Sequence, residues 1–312
     1  MKKLIFLLLF IIVISNSQAQ QTQIKYLSGT DKDHTVLWDF YCTEGRKSGE
    51  WSKIPVPSNW ELQGFGTYNY GHDKNKGNEQ GRYKHEFITP DAKDKRVFIV
   101  FEGSMTDTKV MVNGKLAGPT HQGSFYRFKY DITDLLHATG KNLLEVNVDK
   151  NSANQSVNNA ERKSDFWVFG GIFRPVYLEV VPERYIDRLA IDAKADGSFV
   201  IDVYPGNLKG TEVLDAQVQT LKGKKIGPVF SVKASTADHS TLKASFLKPL
   251  LWSAEFPNLY QVVVTLKDPK GAIHQVKQKF GFRTVELRKN DGLYVNGSKI
   301  ILKGSNRHSF WP

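Results

Sequence analysis

One cysteine, Cys42, in 312 residues leaves no partner for an internal disulfide. Beyond residue 14 no apolar run approaches the roughly 20 residues of a membrane-spanning helix, and no membrane span is expected. The eight histidines lie far apart and none has His-x-x-x-His spacing, so the usual zinc patterns are missing. A Gly-x-Ser-x-Gly elbow and a phosphate-cradling glycine loop are missing too, which argues against α/β-type serine hydrolysis and nucleotide chemistry. Basic residues outnumber acidic ones, 43 to 32, for a net charge of +11. They are scattered along strands, with no basic helix, Cys/His finger or RNP-like aromatic motif beside them. The excess therefore reads as a solvated surface, and nucleic acid is not expected as a partner.

What is present begins with a leader. Lys2 and Lys3 form a positive start, Leu4 to Ile14 an apolar run, and Ser17-Gln18-Ala19 a small-residue cleavage site. Residues 1–19 are expected to be a signal peptide, and an exported protein of this size without disulfides suggests a bacterial periplasm or cell exterior. Cys42 lies too far from the leader to anchor a lipid and reads as a partly buried structural residue.

The remaining chain carries strand and turn signals. Arg96 to Glu102 reads as a strand buried on both sides for part of its length, and Lys109 to Val112 ends on Asn113-Gly114. Asn-Gly suits the two left-handed positions of a type I′ hairpin turn. Asn296-Gly297 repeats the signal between Leu293–Val295, read as a short strand, and Ile300, Ile301 and Leu302, read as a buried apolar strand. That strand opens into the polar cluster Asn306, Arg307, His308. Residues 150–165 are polar enough to pass for a linker, and Gly64 to Gly71 forms a loop dense in glycine and tyrosine. Its rings either stack on sugar or fill a core or interface.

Four stretches resemble glycoside hydrolase family 2, the β-galactosidase and β-glucuronidase group. They are Trp51 to Trp60 (Trp-x-x-Ile-Pro-Val-Pro-Ser-Asn-Trp), Trp167 to Leu178 (Trp-x-x-Gly-Gly-Ile-Phe-Arg-x-Val-x-Leu), Leu251 to Tyr260 (Leu-Trp-Ser-x-Glu-x-Pro-x-Leu-Tyr), and the closing Asn296 to His308. The resemblance implies an all-β chain: a jelly-roll sugar-binding β-sandwich over residues 20–182, then an immunoglobulin-like β-sandwich over 183–283. Residues 284–312 would open a (β/α)8 catalytic barrel, which needs about 250 residues and is truncated here. The expected function is the N-terminal part of an exported β-galactosidase-like hydrolase that cleaves β-linked sugars by a retaining mechanism. Neither catalytic glutamate can be matched in the chain. Glu255 sits in a sandwich loop and reads as structural, with Trp252 and Pro257 packing the sandwich.

By the same resemblance, His308 and Asn306 are sugar-site candidates on the first barrel strand, although Ser309 stands where the family usually has an acid. The loop before Trp167 makes Asn158, Asn159, Glu161 and Asp165 candidates for sugar contact, since amides offer a hydroxyl both donor and acceptor. No organic cofactor is implied. Room remains for a structural or active-site Mg²⁺, Na⁺ or Ca²⁺ in a full-length enzyme, and for a homo-oligomer. The rival reading is a stand-alone carbohydrate-binding or scaffold protein of two sandwiches.

Overall fold

The computed structural model describes residues 19–68, 77–162 and 169–306. It divides into two compact units, separated in sequence between Glu183 and Arg184. Each has its own apolar cluster.

In chain order the strands of the N-terminal half are β1 (Gln20–Gln21), β2 (Gln23–Tyr26), β3 (Val36–Cys42), β4 (Trp51–Val56), β5 (Gln80–Ile88), β6 (Lys95–Phe101), β7 (Asp107–Val112), β8 (Lys115–Leu116), β9 (Phe128–Asp131), β10 (Lys141–Asp149) and β11 (Val176–Pro182). The unit of residues 22–183 is a sandwich of two sheets, ordered β4-β3-β5-β10-β7-β8 and β2-β11-β6-β9. Strand alternation turns Trp38, Phe40 and Cys42 of β3 inward, where they meet Ile54, Tyr83, Leu144, Ile99 and Leu178 from both sheets. Phe40 lies edge-on to Phe65, with ring centroids 5.0 Å apart. Phe65, from the glycine- and tyrosine-rich loop, is therefore core and not a sugar platform. β6 sits between β11 and β9, and its last five residues are all buried, as its unbroken apolar run requires. Cys42 is fully buried, and burial pushes its thiol up to about 11, so it stays a neutral apolar filler.

The second half contributes β12 (Tyr185–Ala193), β13 (Ser198–Gly206), β14 (Val213–Thr220), β15 (Lys225–Lys233), β16 (Ser240–Ser245), β17 (Tyr260–Asp268), β18 (Gly271–Phe280), β19 (Val285–Arg288), β20 (Gly292–Val295) and β21 (Ser298–Lys299). Sheets β1-β18-β17-β14-β15 and β12-β13-β16 enclose Phe199, Ile201, Leu214, Val262, Val264, Phe280 and Phe282. Sequence reasoning puts Gln20 and Gln21 at the head of the first sandwich. They pair instead in parallel with His274 and Gln275, at the edge of the second unit's sheet. An unpaired β18 edge would leave backbone donors and acceptors without partners, and two residues of added strand supply some.

β19, β20 and β21 form a separate three-stranded meander. Asn296 and Gly297 both have positive φ, 52° and 79°, as do Asn113 and Gly114, at 51° and 75°. Both hairpin dipeptides thus adopt the turn their chemistry favours. The meander is fastened to its own unit by Asn296, whose Nδ2 donates to the Trp252 carbonyl (3.0 Å), and by the Thr284 amide, which donates to Asn296 Oδ1 (3.0 Å).

Three expectations need correction here. Ile300, Ile301 and Leu302 do not form a buried strand. Pairing ends with the Ile300 amide on the Leu293 carbonyl, and Ile301 and Leu302 are about four-fifths exposed, at 79% and 80%. Among the described residues β21 has β20 as its one strand neighbour; Ile300 is half-buried and the exposed side chains begin at Ile301. Trp252 and Pro257 do not fill the second core either. Pro257 is exposed, and half-buried Trp252 carries the Arg283 guanidinium over its ring at 4.8 Å. Finally, the polar stretch after β10 is not a plain linker. It holds the single described α-helix, α1 (Gln155–Glu161), whose first turn is capped by Asn154 Oδ1 accepting from the Ser156 amide at 3.0 Å.

Candidate functional site

The register of β5 with β10 pairs Gln80 with Asp149. One residue further along each strand, that register brings Glu79 beside Lys150, whose amide donates to the Glu79 carbonyl. The Lys150 side chain then runs inward, fully buried. Its Nζ lies 2.9 Å from Glu61 Oε1 and 3.0 Å from Glu79 Oε1, and both carboxylates are closed to solvent. Three charges are thus packed together inside a sandwich. Such a cluster persists only where hydrogen bonds replace the water each ion has lost.

Those bonds go to the roots of two loops. Glu79 Oε1 accepts from the Thr67 amide (2.7 Å) and from Trp60 Nε1 (3.4 Å), while Lys150 Nζ donates to the Thr67 carbonyl (2.5 Å). Glu61 accepts the Gly170 amide on both oxygens, each at 3.0 Å. Arg162 Nη1 donates to the Phe169 carbonyl (2.9 Å), and Arg162 Nη2 reaches Thr106 Oγ1, which in turn donates to the Lys150 carbonyl (3.1 Å). Thr67 roots the glycine- and tyrosine-rich loop. Lys150, Arg162, Phe169 and Gly170 root the polar loop. The two stretches that sequence reasoning offers as candidates for sugar contact therefore start from one ionic cluster, and their flanking rings, Tyr68 and Phe169, lie 6.0 Å apart.

The double glycine of the second family-like motif has a local cause. A Cβ on Gly170 would come within 1.9 Å of Trp60 Cζ2, so only glycine lets the chain pass beneath that ring. Burial raises the Glu61 carboxyl above its usual range, opposed by the Lys150 charge and the Gly170 amide. Burial also works against the Arg162 charge. Among the described residues, Glu79 Oε2 and Arg162 Nε are buried without a hydrogen-bond partner.

Of the residues named from sequence, Asn158 lies on α1 with both ends of its amide engaged locally. Its Oδ1 accepts from the Ser152 amide (2.9 Å) and its Nδ2 donates to the Ser152 carbonyl (2.7 Å). Asn159 is exposed and accepts from Gln155 Nε2 (2.9 Å). Glu161 accepts the Ser124 amide (2.9 Å), tying α1 to the chain before β9. Asn306 is exposed and belongs to no strand, and Glu255 is exposed in its loop. His308, Asp165 and Trp167 lie outside the described residues, as do Asn69, Tyr70 and Gly71 of the glycine- and tyrosine-rich loop. Among the described residues no three His, Cys, Asp or Glu side chains are gathered to hold a metal ion. Sequence reasoning missed Lys150, Glu61 and Glu79. They are far apart in the chain, and only strand register unites them.

Two successive β-sandwiches, the first with the roots of two loops tied to one buried ionic cluster, define the class. The chain belongs to glycosyl hydrolases family 2: the model of that family's sugar binding domain matches residues 45–182, and the family's own model matches residues 185–283. Among similar proteins, the β-galactosidase of Priestia megaterium is 32% identical over 84% of this chain, and that of Streptococcus thermophilus is 32% identical over 92%. The chain spans 27% and 29% of those two proteins, less than a third of their length. The β-glucuronidase of Bacteroides uniformis shares the fold, with a TM-score of 0.72 and 23% identity over 92% of this chain and 36% of its own. The chain is a family 2 N-terminal portion, and the family's catalytic residues are absent from it.

Proposed function

We propose that this chain is the front portion of an exported family 2 glycosidase that cleaves β-linked sugars with retention, with β-galactosides as its substrates. The observation that carries the proposal is the common root of the two loops in the sandwich that matches the sugar binding domain. Curated relatives named as β-galactosidases support the substrate class, and the leader at residues 1–19 supports export. Asn306 and His308 then belong to the first barrel strand, and Asn159 to the rim of the polar loop.

Retaining hydrolysis needs two carboxyl groups about 5–5.5 Å apart across the scissile bond. Glu61 and Glu79 cannot serve, because one ammonium ion bridges them and neither reaches solvent. They hold loops in place. Residues beyond Pro312 would have to supply the acid/base and the nucleophile.

The test is to express the reading frame as it continues past Pro312 and assay it with chromogenic β-galactoside and β-glucuronide. Faster turnover of the galactoside, in the extracytoplasmic fraction, is expected. Preference for the glucuronide would move the substrate assignment. A frame that stops at Pro312, with a product that binds galactosides but does not cleave them, would favour the stand-alone binder.

A further inference from the structure

We propose that the exported chain is closed at its amino end, with Gln20, freed by cleavage after Ala19, converted to an N-terminal pyrrolidone lactam. The inference rests on the export reading above. It adds a covalent modification site to it.

Three observations point to the same residue. Gln20 follows the small-residue cleavage site directly, so cleavage there would place its α-amine and its own side-chain amide carbonyl within reach of a five-membered ring. Both Gln20 and Gln21 are exposed, so the side chain has room to fold back on the amine. Gln21 is paired with Gln275 in the β1–β18 ladder, which leaves the new terminus at the leading end of an edge strand and not inside the core.

The ladder also supplies a physical consequence. Gln20 stands in register with His274, whose ring is fully buried and whose Nδ1 accepts the Ile186 amide at 3.0 Å, so that nitrogen carries no proton. An open α-amine, with an ordinary pKa of about 7.7–8.0, would put a cation at that rim of the sheet at neutral pH. The lactam is neutral and keeps one N–H.

The step balances within the residue. The α-nitrogen attacks Cδ, an N–Cδ bond forms, the Cδ–Nε2 bond breaks, and the departing nitrogen takes up an α-nitrogen proton and leaves as ammonia. Nothing is oxidised or reduced and no co-reactant is consumed.

The experiment is to express the 312-residue chain with its own leader in an exporting bacterial host, record the intact mass, and then sequence the tryptic Gln20–Lys25 peptide by mass spectrometry. The expected peptide is about 17 Da lighter than its linear form, the mass of ammonia, and takes amine label at Lys25 alone, with none at its α-nitrogen. Gln20→Ala should give a normal-mass, fully labelled terminus at residue 20. A linear, labelled Gln20 that persists on incubation overturns the closure and leaves the export reading intact. A chain starting elsewhere overturns both.

Discussion

Replacing Lys150 by methionine should destabilise the first sandwich by about 3–5 kcal/mol, the usual result of removing one partner from a buried ion cluster. The side chain is fully buried, and it neutralises Glu61 and Glu79 at 2.9 and 3.0 Å. Without it two carboxylates would face each other with no cation between them. Urea unfolding followed by tryptophan fluorescence would read the loss, since Trp60, one of the six tryptophans, donates through Nε1 to Glu79 at 3.4 Å. Adding Glu79→Gln to Lys150→Met should recover part of it, because one buried charge then disappears. Acidification should also narrow the gap between variant and parent, as the Glu61 carboxyl, which burial already raises, takes up a proton. A cost below about 1 kcal/mol would mean that the cluster is already solvated or protonated, and the loops would need another anchor.

The second large effect is a pH dependence in the other sandwich. His274 is fully buried in β18, and burial lowers its pKa from the ordinary 6.5 to about 4. The folded protein therefore binds fewer protons there than the unfolded chain between those two values. Stability is complete above pH 6.5 and falls as the pH drops towards 4, by about 3 kcal/mol in total at about 1.4 kcal/mol per unit of pKa. Chemical denaturation at pH 7.5 and pH 4.5 should show the second unit weakened at the lower pH. A His274→Gln variant should have a flatter profile over this range, whatever its starting stability. Equal slopes for the two proteins would assign the acid sensitivity to other groups.

Much of this architecture was legible because it is written in short stretches of chain. Asn113-Gly114 and Asn296-Gly297 name their own turns, since both positions need positive φ. The apolar run of β6 implied a strand covered on both sides, and the family-like motifs fall on the segments that enter and leave the sheets. What was hidden depends on distant partners. Lys150 looks like one more polar residue in an Asn-rich stretch until the Gln80–Asp149 register sets it beside Glu79. That stretch also concealed α1, although Asn154 at its start is a good capping residue that composition alone undervalues. Ile300 to Leu302 read as buried because they are apolar, yet an apolar strand is buried only where neighbours cover it. Asn158 and Asn159 are alike in sequence but differ in use: the first closes a turn through Ser152, and the second remains at the surface.

The central claim is that Glu61 and Glu79 hold the roots of two loops without performing chemistry, and the most direct test is β-galactoside hydrolysis by the purified 312-residue chain. The account predicts release of chromophore at the rate of buffer alone, from a chain whose first sandwich is folded. Turnover that purifies with the chain and disappears in Glu61→Gln or Glu79→Gln, while folding survives, would contradict it.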